Sequence, residues 1–278
     1  MNTAFSLSKG GSKVGREWME NRGSLGVSSY HAEVLARLQP LGHPDQVPAL
    51  KNYMKSQLDF LAIKVPVLSK ALQEPFSFSS QPADEVLAIW SDIWFSSPYF
   101  EVMSAALMHY SRRKARIAPE VWPVLARWSS RVENWAHSDE LSTIYSYLLA
   151  QRPTEVYAQL EAWNAADEQW LRRLSLVSLI REAKKPSSLL SLDRVLPLVT
   201  ACVDDRRYYV QKGVGWLLRE LSDVYPDQIG AFFEAHKGNL SGVAFSVATE
   251  HWPTEERQRL LAWRKAHRQG NLLAEPSR

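Results

Sequence analysis

From Ser29 onward the apolar residues fall almost without a break at three- and four-residue steps, the period of a helix that buries one face. No stretch alternates apolar and polar residues as a half-buried strand does, and no Asn-Gly or Asp-Gly pair marks a hairpin. About fourteen helical runs can be counted, and serial helices with short connections build either a bundle or a solenoid of helix pairs. Pro44, Pro66, Pro98, Pro119, Pro153, Pro226 and Pro253 stand where helices begin. There the fixed φ of proline and its missing N–H cost nothing. Gly42 and Gly238 suit helix ends. Pro123 and Pro197 fall inside runs and are expected to kink, shift or split them.

Trp135, Trp170 and Trp216 are 35 and 46 residues apart. These spacings bracket the roughly 40–47-residue unit of HEAT and armadillo arrays. The expected architecture is therefore all-α, a curved solenoid of HEAT-like antiparallel helix pairs. No interior linker is visible, so one folded domain is expected over residues 29–270, with flexible tails at 1–28 and 271–278. Hydrophobic residues make up 45% of the 278, enough for a sizeable core. The single cysteine, Cys202, excludes an internal disulfide framework and a cysteine-based zinc site; it fits a reducing compartment and a cytoplasmic location. No apolar run reaches the ~20 residues of a membrane span, and the N-terminal stretch lacks the apolar segment of a secretory signal. A net charge of +3 is a mild basic bias, so an anionic partner must be met by basic residues gathered on one face.

The stretch Val132–Leu149, VENWAHSDELSTIYSYLL, reads as an amphipathic helix. Trp135 and Asp139 are four apart and share a face. An indole beside a carboxylate offers a surface for an apolar or cationic group and negative charge for a developing cation. The same residues also allow a plainer reading, in which Trp135 is core and Asp139 sits in the first turn, or in which Ser138 or Asp139 caps a new helix. Trp170 and Arg173, and again Trp216 and Arg219, place an Arg three residues after a Trp, on one side of a helix. Lys212, one turn before Trp216, joins that side. Such pairs serve packing, with Arg reaching to solvent, or line a shared groove where the guanidinium fork binds phosphate. Gly213 and Gly215 cost about 1 kcal/mol each in a helix and point to close approach by a neighbouring helix or a ligand.

Weaker signals surround these. The run Arg112, Arg113, Lys114, Arg116 and the basic last helix with Arg257, Arg259, Arg264, Lys265 and Arg268 read as solvated faces. The histidines show no metal-ligand spacing, and no phosphate-binding or nucleophile-elbow motif is present; neither a metal nor a cofactor is expected. His137 is two residues from Asp139, and a helix points them apart, so no dyad is assigned.

Four stretches resemble one known family, the HEAT-repeat DNA alkylation repair glycosylases or AlkD-like proteins. NYMKSQLDFLAI resembles its first-helix motif and carries Tyr53. NWAHSDEL resembles its catalytic helix, with Trp135 and Asp139 at the Trp-xxx-Asp positions; WLRRLSLVS carries the central Arg173; YYVQKGVGWLLRE is the most specific match, with Trp216 and Arg219 in place. The resemblance spans roughly Asn52 to Ala266. Ala62 stands where such proteins often have Gly, and Asn134 and Ala136 flank Trp135 where the family can have Trp and Asp.

The resemblance implies hydrolysis of the N-glycosidic bond of N3- and N7-alkylated purines in duplex DNA. Asp139, Trp135 and Trp216 are then the catalytic group, and Tyr53, Arg173, Arg219 and Lys212 hold the DNA. It also implies alkylated double-stranded DNA as partner, no membrane, and a monomer. Two other readings fit the same scaffold: a non-catalytic binder of damaged or branched DNA, and a protein–protein HEAT scaffold.

Overall fold

The computed structural model describes residues 29–184 and 190–273, with side chains through 267. The expected tail at 1–28 lies outside the described residues, as does the end of the second tail from 274 on. All regular structure among the described residues is helical, apart from a single bridge between Asp59 and Tyr99. No helix of this set is long and apolar enough to cross a membrane.

The helices are α1 Ser29–Leu38, α2 Val47–Met54, α3 Val65–Ala71, α4 Ala83–Ser96, α5 Phe100–Ser111, α6 Trp122–Arg127, α7 Trp135–Gln151 and α8 Pro153–Asn164. They continue as α9 Gln169–Val177, α10 Ile180–Ala183, α11 Leu192–Thr200, α12 Tyr208–Ser222, α13 Pro226–His236, α14 Gly242–Ala248 and α15 Thr254–Leu273. One row runs through the molecule, α5 against α7, α7 against α9, α9 against α12 and α12 against α14. A second layer backs it: α4 on α5, α8 on α7 and α9, α11 on α9, α13 on α12. This is the expected solenoid of helix pairs. Every functional residue read from the sequence except Tyr53 lies on the first row, on α7, α9 or α12.

Proline sets the boundaries largely as its chemistry requires. Pro153 and Pro226 open α8 and α13, and Pro66 is the second residue of α3. Pro123 splits its run, standing second in α6 behind the short 3-10 turn Pro119–Val121. Pro197 sits inside α11 without ending it. Several tryptophans only fill space. Trp90, Trp94 and Trp128 are almost fully enclosed; Trp94 and Trp128 stack at 5.3 Å, and their N–H groups donate to Trp128 O and to Ser91 Oγ.

Gly215 explains itself. A Cβ there would lie 2.7 Å from both Ala244 O and Val247 Cβ, so the α12–α14 approach admits only glycine. Gly213 is different. Its imagined Cβ meets Arg173, Val177 and Leu176 at 3.6–3.7 Å, ordinary contact, so the close approach expected of both glycines holds for one. Ala62 has φ 58, the left-handed region that favours glycine. The buried Glu101 carboxylate fixes this turn by accepting from the amides of Leu61 at 2.8 Å and Ile63 at 3.2 Å.

Candidate active site on the α7–α9–α12 row

The site begins with the cap of α7. The helix starts at Trp135, three residues later than the Val132–Leu149 reading, because Asn134 leaves the helical region (φ −145, ψ 160) and its Oδ1 accepts from His137 N at 2.9 Å. Val132 instead closes the preceding 3-10 turn. The plainer reading with Ser138 or Asp139 as cap therefore fails; Asp139 is inside the helix. His137 anchors this end to α5. Its ring stacks on Phe100 at 4.4 Å, and Nε2 lies 3.0 Å from Ser104 Oγ. Complete burial pushes its pKa down to about 3, so the ring is neutral and structural.

Asp139 is held from the next repeat. Arg173 on α9 donates Nε at 3.0 Å and Nη2 at 2.7 Å, both to Oδ1, while its Nη1 donates to Tyr209 O at 2.8 Å. Oδ2 accepts no hydrogen bond from the described residues. The Asp139 side chain is 23% exposed and that of Arg173 only 5%. Burial raises the Asp139 pKa, and the Arg173 guanidinium opposes that without cancelling it. This corrects one expectation: Arg173 is turned inward, its fork spent on a carboxylate and a carbonyl, and is not presented to a phosphate.

Beside Asp139 a hollow of about 150 Å³ opens, lined by Asp139, Thr143, Tyr147, Arg181 and Trp216 among others. Asp139 and Trp216, 77 residues apart in the chain, thus share one small space. Trp216 Nε1 donates to Glu220 Oε1 at 3.0 Å. Glu220 also binds Arg219 Nη2 at 3.2 Å and the Lys184 ammonium. Burial pushes the Glu220 pKa up, but Lys184, Arg219 and the indole N–H more than offset it, and the net shift is down. Arg219 reaches Glu250 with its other arm.

Trp135, one turn before Asp139 on α7, meets Tyr53. Their rings meet edge to face at 6.1 Å and 88°, and Tyr53 is 67% exposed. Glu133 brings them together by accepting from Ser56 Oγ and from Gln57 N at 3.1 Å, tying the loop after α2 to the residues before α7. Tyr209 packs on Trp170 with ring centroids 4.8 Å apart and the planes tilted by 34°. Lys212 is half-buried, with Nζ 5.9 Å from the Tyr208 ring. The connection into α12 is locked by Asp205, which binds Arg172 at 2.8 Å and Arg207 at 2.5 Å. Burial alone would raise its pKa; the two guanidiniums hold it at about 2. Glu220, Glu133, Tyr209 and Arg181 were not legible in the sequence, since each acts through a partner distant in the chain. Among the described residues no group of three His, Cys, Asp or Glu side chains is placed to hold a metal ion.

Asp139, Trp216, Lys114 and Arg181 thus share one hollow on a helical-repeat row. The chain matches the DNA alkylation repair enzyme family over residues 34–252, and it belongs to that family. No curated protein matches it. Among solved structures it is similar to a protein described as a predicted DNA alkylation repair enzyme from Enterococcus faecalis, with 19% identity, 77% of this chain and 97% of that one covered, and a TM-score of 0.65. It is also similar to smu.31 from Streptococcus mutans UA159, with 16% identity, 80% and 98% covered, and a TM-score of 0.53. At these identities the structural likeness establishes the fold.

Proposed function

We propose that the protein is a DNA glycosylase that hydrolyses the N-glycosidic bond of N3- and N7-alkylated purines in duplex DNA, acting with its substrate in the nucleoid. The observation that carries this reading is the half-open carboxylate. Arg173 fixes Asp139 through Oδ1, Oδ2 accepts no hydrogen bond from the described residues, and Asp139 lines a hollow together with Trp216.

An alkylated purine already bears positive charge and leaves readily. As its bond to C1′ breaks, the electron pair goes to the base and neutralises it, while positive charge develops on the deoxyribose, as in glycoside hydrolysis. The Asp139 carboxylate stabilises that charge through space and orients a water. The water oxygen then bonds to C1′ and releases its proton to Asp139 or to solvent. Trp135 and Trp216 flank the lesion with aromatic faces, which attract cations. Tyr53, Lys212 and Arg219 contact the backbone and set register. Arg173 acts through Asp139, as a positioning residue.

Asp139→Asn keeps the shape and the Arg173 bonds but removes the charge. It is expected to abolish release of 7-methylguanine from methylated duplex DNA while leaving duplex binding nearly intact. Undiminished release by Asp139→Asn rejects the catalytic assignment. Absence of release by the wild type, with tight binding retained, favours the non-catalytic DNA binder.

A further inference from the structure

Arg181 is unlike the other arginines near the site. Arg172, Arg173 and Arg219 spend their donors on carboxylates and carbonyls. Arg181 lies flat on Tyr147, its guanidinium carbon 3.4 Å from the ring centroid, with Nη1 3.6 Å from Glu182 Oε1 and no hydrogen bond to another described residue. Its side chain is one-third exposed. A guanidinium stacked on a ring keeps its N–H donors in its own plane and fixed in direction; with Nη1 buried near Glu182, Nε and Nη2 are the donors left for a ligand. Lys114 places its ammonium 5.2 Å from the centroid of the same ring. Both cations line the hollow that Asp139 and Trp216 share. Lys114 belongs to the basic run that the sequence alone leaves as a solvated face, and it brings that run, with Arg113 and Arg116 beside it in the chain, to the mouth of the hollow.

We propose that Arg181 and Lys114, held on Tyr147, form a phosphodiester subsite at the edge of the hollow, gripping one backbone phosphate of the strand whose nucleotide faces Asp139. The inference rests on duplex DNA being the substrate. A planar fork and a point charge are complementary on a phosphate: the fork binds two oxygens in fixed geometry, and the ammonium adds charge without directional demand. Ring stacking lowers the freedom the guanidinium loses on binding, which is preorganisation. Lys114 and Arg181 line the hollow with Asp139 and Trp216, whereas Tyr53 and Trp135 are not among its lining residues, so the subsite adds a contact separate from theirs.

The test measures affinity of the full-length chain for a labelled duplex across a KCl series, for wild type, Arg181→Gln, Arg181→Lys and Lys114→Gln. Each lost phosphate contact lowers the slope of log K against log [KCl] by about 0.9. Arg181→Gln is expected to lower the slope by about one and to weaken binding roughly 3- to 10-fold at moderate salt. Arg181→Lys is expected to keep most of the slope. One neutral methylphosphonate near an abasic analogue is expected to weaken the wild type and leave Arg181→Gln unaffected. Unchanged slopes in both Gln variants, or no linkage whose neutralisation distinguishes wild type from Arg181→Gln, overturn the subsite. Should Arg181→Gln not fold, the slope of Lys114→Gln decides. Base release is a separate readout. No release by the wild type, with a lowered slope in Arg181→Gln, rejects the glycosylase and keeps the subsite; release by the wild type with unchanged slopes in both Gln variants does the reverse.

Discussion

The Asp139–Arg173 pair makes an asymmetric prediction. The Asp139 pKa lies above its ordinary 3.8 because burial outweighs the guanidinium beside it. A carboxyl with a raised folded pKa binds its proton more tightly in the fold. Its stabilising contribution is full below about pH 3.8 and is lost as pH rises through the folded value. At pH 7 the ionised carboxylate is therefore a net cost to the fold. Asp139→Asn removes that cost and keeps an oxygen for Nε and Nη2 of Arg173, while leaving the buried guanidinium with a neutral acceptor. The two effects oppose, and the net change is expected within about 1 kcal/mol. Arg173→Met has no such compensation. It strips both bonds from a largely buried carboxylate and the donor from Tyr209 O. Breaking a buried pair this way costs about 3–5 kcal/mol. The partial exposure of Asp139 puts this case near 3, or a Tm fall of roughly 6–12 °C at this size. Without Arg173 the Asp139 pKa rises further, so the loss shrinks from pH 7 to pH 5 as the carboxyl takes up a proton. Thermal and urea unfolding of both variants at the two pH values measure this. Equal losses in the two variants, or an Arg173→Met loss indifferent to pH, refute the reasoning.

Other expectations follow from single positions. Gly215→Ala forces α12 from α14 and is expected to cost about 1–3 kcal/mol, whereas Gly213→Ala, with room for its methyl, is expected to gain up to about 1 kcal/mol; unfolding curves that rank them the other way reject the packing account. Ala62→Gly relieves a left-handed alanine worth about 1–2 kcal/mol, partly offset by glycine's chain entropy, and is expected to raise Tm by about 2 °C; a lower Tm counts against strain at this turn. Glu220→Gln releases Lys184 and Arg219 from their shared carboxylate, so duplex binding is expected to tighten several-fold at low salt with a slope steeper by about one phosphate. An unchanged slope means those cations do not reach DNA.

The fold was legible because helical periodicity and proline placement are local signals. The solenoid follows from them once no strand pattern competes. Part of the site was legible for the same reason. Trp135 and Asp139 share a face by spacing, and so do Lys212, Trp216 and Arg219. What spacing does not carry is the partner of a charge. Arg173 reads as a phosphate ligand by type, and only the stacking of α9 between α7 and α12 shows that its donors end on Asp139 and Tyr209 O. Glu220, Glu133 and Glu101 are ordinary surface acids in the sequence; each binds groups from another segment. Asn134 was read as a departure from a family pattern, yet it is the residue that starts the helix and so sets where Asp139 points.

The cations along this row divide by what they already hold, and that division bears on how the row meets a polyanion. Arg172, Arg173 and Arg207 are tied to Asp205 or Asp139, so their charges are largely neutralised within the fold. Arg219 and Lys184 are tied to Glu220, a carboxylate that also carries the Trp216 indole. On the proposed reading, DNA phosphates compete with that carboxylate for them, and any such exchange frees the Trp216 N–H from Glu220. Arg181 and Lys114 hold no hydrogen bond to a carboxylate among the described residues: both lie over the Tyr147 ring, and Arg181 has only a 3.6 Å approach to Glu182. On the proposed reading, initial affinity is expected from the cations resting on rings, and rearrangement around Trp216 from those shared with acids; the salt slopes of Arg181→Gln and Glu220→Gln tell the two groups apart.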